Sequence, residues 1–336
     1  MEQTELTAAE SGSLWNNYLN TNIAVCMMHH FLLHIDDVEI RSVVEAAYQL
    51  GENLVTAVGK LLTADKIPLP TGYSVHQDVN TRAPRLYLDS FYLAYIKNMT
   101  RIGLSGYSSA FAAASRSNVR NFYHDCIKAS ALLDEKITAV QLAKGLTVCT
   151  PHLPTARIGE TVQSMDFLGS LFGKQRPLLA TEIDTLFLNF QTNSVGKALL
   201  MGFSQTAATD GVRSLAVRGT EIAHKHIQLF AKLLTSEDLP APLRQEAAVT
   251  DNTIPPYSDR LMLHHLLLLI AYGLGNYGLA LAFSMRADLV TLYTRLGLEV
   301  SQYLEDGMYR FIKNNWLEWP PHAIDHKALA EHEIRL

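Results

Sequence analysis

Cysteine is scarce in this 336-residue chain, and Cys26, Cys126 and Cys149 stand singly. With no CxxC and no dense cysteine pattern, a disulfide scaffold and a cysteine-rich zinc module are excluded, and a reducing, cytoplasmic setting fits. Charge is thin as well. Asp, Glu, Lys and Arg make up 18% of the residues and the net charge is -5, so no basic footprint calls for a nucleic-acid partner. The opening MEQTELTAAESGS is polar and acidic, unlike a secretory signal. Sustained period-two alternation is missing, so no sheet is expected. The chain has no P-loop, no nucleophile elbow and no lone cysteine with a supporting pair. The expectation is therefore no catalytic residue and no cofactor.

Charge is also missing locally. From Leu261 to Met285 there is no formal charge, a run long enough to span a bilayer. Its counterpart from Leu86 onward carries Asp89, Lys97 and Arg101, which make a poor span. The run therefore reads as a core helix, the most buried long helix of the protein, and no membrane span is expected.

What is present is repetition. Arg213–Leu234 reads as one amphipathic helix, with Leu215, Gly219, Ile222, His226, Phe230 and Leu233 on one face. Arg41–Leu62 repeats it without a gap, with Arg41, Ser42, Lys60, Leu61 and Leu62 identical. Around this pair the periodicity predicts four helices per copy. In the first copy they run over 14–35, from Asp36–Asp37 as cap to about 62, over 85–114, and from the Ser117–Asn118 break to about 144. Thr63–Pro84 and Thr235–Tyr257 are long, proline-bearing connections between the second and third helices. Leu186, Phe187, Asn189 and Phe190 answer Leu14, Trp15, Asn17 and Tyr18. After the loop, Asp259, Tyr277, Arg286 and Tyr293 answer Asp89, Tyr107, Arg116 and Tyr123.

The expected fold is all-α, two tandem ferritin-like four-helix bundles with long second-to-third helix crossovers. Residues 1–150 form the first bundle, 151–180 a linker with a short amphipathic helix over 160–172, and 181–336 the second bundle. A crossover brings the starts of helices two and three to one end, so Arg41 should lie near Asp89 and Arg213 near Asp259.

Metal chemistry has few candidates. Glu221-x-x-His224 is the half-signature of a carboxylate-bridged di-iron site. On a helical wheel, however, both residues lie well over about 100° from the buried direction, where Glu221 can reach Lys225. His30 and His34 are four apart and could share a metal, but no carboxylate or cysteine lies within a turn on that face. His29 and His226 read as core histidines. Gly273-Leu-Gly275-Asn-Tyr-Gly278 matches a dinucleotide fingerprint, yet it lies inside a helix instead of after a strand.

The P-x-P loops, Asp89 and Asp259, the RSN and RAD breaks, GKQRPL before the second copy and the closing NNWLEWPP together carry a resemblance. The chain resembles the domain of unknown function 3231 family, tandem ferritin-like proteins of Bacillus-type endospore formers related to coat-F spore coat proteins. The resemblance implies duplicated bundles and no established activity. On it rests the expectation of a non-enzymatic structural or interaction protein of the spore coat, partnered by other coat proteins or by itself. A metal-binding oxidase or store and an apolar small-ligand carrier are the alternatives.

Overall fold

The structure, a computed structural model, describes residues 5–154, 161–170 and 175–330. Its long helices are α1 (Ala8–Leu32), α2 (Val38–Ala64), α4 (Asp89–Ala113), α5 (Ser117–Ala143), α6 (Ala180–Thr206), α7 (Asp210–Thr235), α8 (Asp259–Phe283) and α9 (Ala287–Lys313). Two short ones are α3 (Val75–Asp78) and α10 (His326–Ala330). The duplication is explicit in the bounds: starts at 8 and 38 recur at 180 and 210, and those at 89 and 117 recur at 259 and 287. Among the described residues there is no strand, and the fold is all-α.

The caps explain where helices begin. Thr7 and Glu10 form a reciprocal capping box on α1. Asp37 accepts the amides of Glu39 and Ile40 at the start of α2. Within each half the first helix packs on the second, the third on the fourth, and the second on the third and fourth.

The crossovers return the chain. Asp89 Oδ2 accepts the amides of Asp36 and Asp37 at 3.1 and 2.8 Å. Asp259 does the same for Ala208 and Thr209 at 2.9 and 2.8 Å. The starts of the second and third helices therefore share one end in both halves. Arg41 and Arg213 lie there too, but they do not pair with these aspartates. Arg41 donates to the carbonyls of Leu32 and Ile35, and Arg213 to that of Ala207. They close the helix turns, while Arg85 takes up Asp89.

A second duplicated device sits at the opposite end. Glu10 Oε1 accepts the amides of Ser115 and Arg116, joining α1 to the α4–α5 break. Glu182 Oε1 accepts those of Met285 and Arg286, joining α6 to the α8–α9 break. Glu182 is also held by both terminal nitrogens of Arg176 at 2.8 Å. Arg116 reaches Asp65 and Arg286 reaches Glu237, which ties in the end of the second helix.

The halves are joined by exchange. Isolated antiparallel bridges form between Val79 and Tyr257 and between Tyr87 and Val249. These are equivalent positions paired crosswise, the pattern of a two-fold interface. The amide of Leu88 donates to Ala248 O and that of Ser258 to Asp78 O. Tyr87 Oη donates to Leu199 O, and Tyr257 Oη to Met27 O. Tyr95 and His265, again equivalent, face each other at 3.1 Å. One apolar core, from Ile23 and Phe31 to Phe203 and Leu266, runs through both halves.

Three expectations change. The uncharged helix α8 is buried mainly in its first half, Leu261–Ile270; farther along Tyr277 and Ala280 are still buried, but Leu279 and Phe283 are exposed. It is long and apolar enough to cross a membrane, but its first half is inside the protein against α1 and α6. His29 is only half-buried, and the core histidine of α1 is its neighbour His30. The linker carries a 3-10 turn over Met165–Leu168 instead of a packed amphipathic helix, with Val162 and Met165 exposed. The rest of that expected helix falls partly on residues 160 and 171–172, outside the described residues.

Candidate functional site

The sequence candidates for metal do not assemble. Glu221 and His224 are both exposed on α7. His224 Nδ1 lies 3.0 Å from Lys197 Nζ, which pairs with Glu246. Lys225, the partner expected for Glu221, binds Glu299 on α9 instead. His30 and His34 both direct Nε2 at Ala83 O, at 3.3 and 3.1 Å. Burial lowers His30 to about 4, with His34 adding to the effect against the Ala83 bond. Neutral rings donating to one carbonyl satisfy each other's surroundings without a metal.

His226 is fully buried, with Nδ1 2.8 Å from Tyr277 Oη and Nε2 3.2 Å from Glu299. Asn193 completes this cluster through Tyr277 Oη at 2.9 Å. Among the described residues no three His, Cys, Asp or Glu side chains are placed to hold an ion. The buried carboxylates are each taken up within the protein: Glu10 by backbone amides, Glu182 by amides and Arg176, Asp78 by Ser74, Ser258 and Arg260, and Asp259 by Ala208 and Thr209. The di-iron ligand set that a ferritin-like frame suggests does not fit these residues.

A different site emerges in the first half. A cavity of about 280 Å³ lies between α1, α2, α4 and α5, closed on one side by Leu268 and Tyr272 of α8. One end is apolar, with Met28, Ile96, Met99 and Leu133. Its other end is polar: Ser13, Asn16, Asn17 and Asn20 from α1, with Tyr107 and Tyr123 opposite. Asn16 is exposed and Ser13 and Asn20 half-buried, so the polar end is also the mouth. Asn17 is 8% and Tyr123 1% exposed; neither Asn17 Nδ2 nor Tyr123 Oη makes a well-formed hydrogen bond, although the hydroxyl lies beside Ser13 and Asn17. A buried donor left unmade costs about 1–3 kcal/mol; the second half repeats the feature at Asn189 Oδ1 and Tyr293 Oη, so it belongs to the repeat, and what sets the first half apart is that its pair opens onto the larger cavity.

The sequence matches the family model described as "Protein of unknown function (DUF3231)" over residues 1–157 and again over 166–329. The chain belongs to the DUF3231 family. A solved structure from Bacillus halodurans, described as a "putative spore coat protein", is 18% identical, covers 46% of this chain and 98% of its own, and has a TM-score of 0.40. No curated protein matches the sequence.

The two family matches allow the DUF3231 copies to be compared wall by wall. The second half has a counterpart cavity at equivalent positions, but it holds only about 80 Å³. Tyr303 stands where the first half has Leu133, Val300 where it has Ser130, and His226 where it has Leu54. Tyr303 reaches in far enough to donate to Leu215 O at 2.8 Å. It can do so because Gly219 has no Cβ, which would collide with its hydroxyl; the first half has Ala47 there. At the polar end, Asn189 turns its Nδ2 to Thr185 O at 2.9 Å and does not line the smaller cavity. The small-for-large changes at 130 and 133 are visible in the aligned repeats and were the signal available for this site. They belong to no catalytic or ligand motif, so nothing in their residue types marks them as a site.

Proposed function

We propose that this protein is a non-enzymatic binding protein built on two ferritin-like four-helix bundles, residues 1–150 and 181–336, whose first bundle holds a small apolar molecule. The observation that carries the reading is the uncharged 280 Å³ cavity of the first half, set against about 80 Å³ at the equivalent place in the second. A concave, largely apolar pocket with a few convergent polar groups is the ordinary form of a small-molecule site. The crossovers that bring helix starts together support ferritin-like topology. Exposed Glu221 and His224 and the backbone-bound Glu10 and Glu182 support binding over metal catalysis. A spore-coat location, with coat proteins or a second copy as partners, is proposed on the family resemblance, and extraction of a tagged chain from purified spores tests it.

The binding reading is tested by giving the first half the side chains of the second. The full chain is expected to bind 1-aminonaphthalene saturably, read by its fluorescence. The variant A47G/S130V/L133Y should lose that binding at least ten-fold while keeping or raising its thermal midpoint, since added side chains fill empty volume. Equal binding by the filled variant, or none by the natural chain, sinks the reading.

A further inference from the structure

We infer that the cavity takes an uncharged amphiphile: an apolar body of about ten non-hydrogen atoms ending in one neutral oxygen head, a hydroxyl or ketone. The inference rests on the ligand-binding reading above and adds the chemistry of the occupant. Size comes first. A cavity of 280 Å³ has room for roughly nine waters at about 30 Å³ each, and heavy atoms of an organic chain occupy similar shares. Shape follows from the helices. Asn17 at the polar end and Met28 at the apolar end lie on the same helix, about 16 Å apart along its axis, so the occupant is elongated.

Charge is settled by the wall. Among the residues lining the cavity there is no Asp, Glu, Lys, Arg or His. A carboxylate or ammonium carried inside would be stripped of water without a counter-charge, which costs several kcal/mol. A neutral oxygen loses far less and regains it at the polar end. Thr21 Oγ1 donates to Asn17 Oδ1 at 2.8 Å. In that orientation of the amide Nδ2 is the donor without a well-formed bond. Tyr123 Oη, on the facing helix, can donate or accept. A neutral oxygen head reaching this polar end can accept from Asn17 or Tyr123, whereas an ammonium head could not accept from either. The head lies on the mouth side, with exposed Asn16, so the tail enters first and meets Met28, Ile96 and Leu133.

Calorimetric titration of the full chain at pH 7 with 1-nonanol, 2-nonanone, nonanoate and nonylammonium tests this. The alcohol and ketone should bind one per chain, and the two ions at least ten-fold more weakly. Asn17→Leu and Tyr123→Phe should each weaken 1-nonanol about ten-fold, as expected for one lost hydrogen bond, with 1-aminonaphthalene binding unchanged. Tyr123→Phe removes only an oxygen, so it decides the point should Asn17→Leu fail to fold. Nonanoate or nonylammonium binding as tightly as 1-nonanol overturns the inference, as does 1-nonanol indifferent to Tyr123→Phe. If neither neutral compound binds while 1-aminonaphthalene still does, the head assignment falls and the binding reading stands. If the probe fails as well, the binding reading falls with it.

Discussion

Replacing Glu182 with alanine should lower stability by about 3–5 kcal/mol, the range for removing one partner of a buried ion pair. The side chain is fully buried and accepts from Leu179, Met285 and Arg286 amides as well as from Arg176. Truncation orphans three amides and strands a guanidinium at once. Glu10→Ala, in the same place of the first half but without an arginine on its carboxylate, should cost less. Denaturant midpoints at unchanged slope measure both.

The two glutamates also set an acid limit. Burial by itself raises the Glu10 carboxyl, but the amides of Arg116, Thr7 and Ser115 outweigh it and bring it down to about 2 from 4.5. Burial likewise raises Glu182, and Arg176 with the amides of Leu179 and Met285 outweighs it, holding it below 4.5. Lowered carboxyls leave the unfolded chain binding more protons, so stability falls with pH. Their contribution is complete above about 4.5 and drains as pH drops towards 2. The double variant E10A/E182A should therefore show a flatter midpoint-versus-pH curve across that window. An unaltered slope would mean that other groups carry the acid response.

Tyr87→Ala should have an effect of similar size, about 3–5 kcal/mol as for other large-to-small aromatic truncations in cores. The ring stacks on Phe91 at 4.1 Å between centroids and meets Phe31 edge-on, and its hydroxyl crosses to Leu199 in the other half. Gly202 lies under that hydroxyl, where an added Cβ would collide with it. Gly202→Ala should thus cost about 1–3 kcal/mol by overpacking. In a Tyr87→Ala background most of that cost should vanish, because the new methyl enters the space the ring has left. A double-mutant cycle reads this coupling directly. Strict additivity would show that the glycine matters for some other reason.

The helices were legible because each copy checks the other. The matched stretch Arg41–Leu62 and Arg213–Leu234 carries its periodicity twice, so chance spacing in one copy is exposed by the other. Loop placement made the crossover legible too: only a returning chain can put Asp89 beside Asp36–Asp37. What escaped was non-local. The crosswise bridges at Val79 and Tyr87 involve single residues, too few to write an alternating pattern. The true boundary of α1 hid in Thr7 and Glu10, polar residues ahead of the apolar stripe, and the buried face carries polar Asn17, Thr21 and His30, so apolar spacing pointed to His29 instead. The uncharged run of α8 misled because lack of charge records what a helix can tolerate, not what covers it. The cavity was invisible to motif reading because it is made by what Ser130 and Leu133 lack in comparison with Val300 and Tyr303.

The crosswise pairing of the two crossovers has a further consequence for how the copies can diverge. Two separate chains meeting in this way would share one sequence, and any change in one wall would appear in both. A substitution that emptied volume at position 133 would then be made twice, doubling its cost to the assembly. Joined in one chain, the partners hold each other at a fixed local concentration while each is free to change alone. Here the second half keeps Tyr303 over Gly219 and remains well filled, so it can act as the stable scaffold against which the first half carries a hole. Linkage thus turns a symmetric interface into a division of labour, with rigidity supplied by one copy and space by the other.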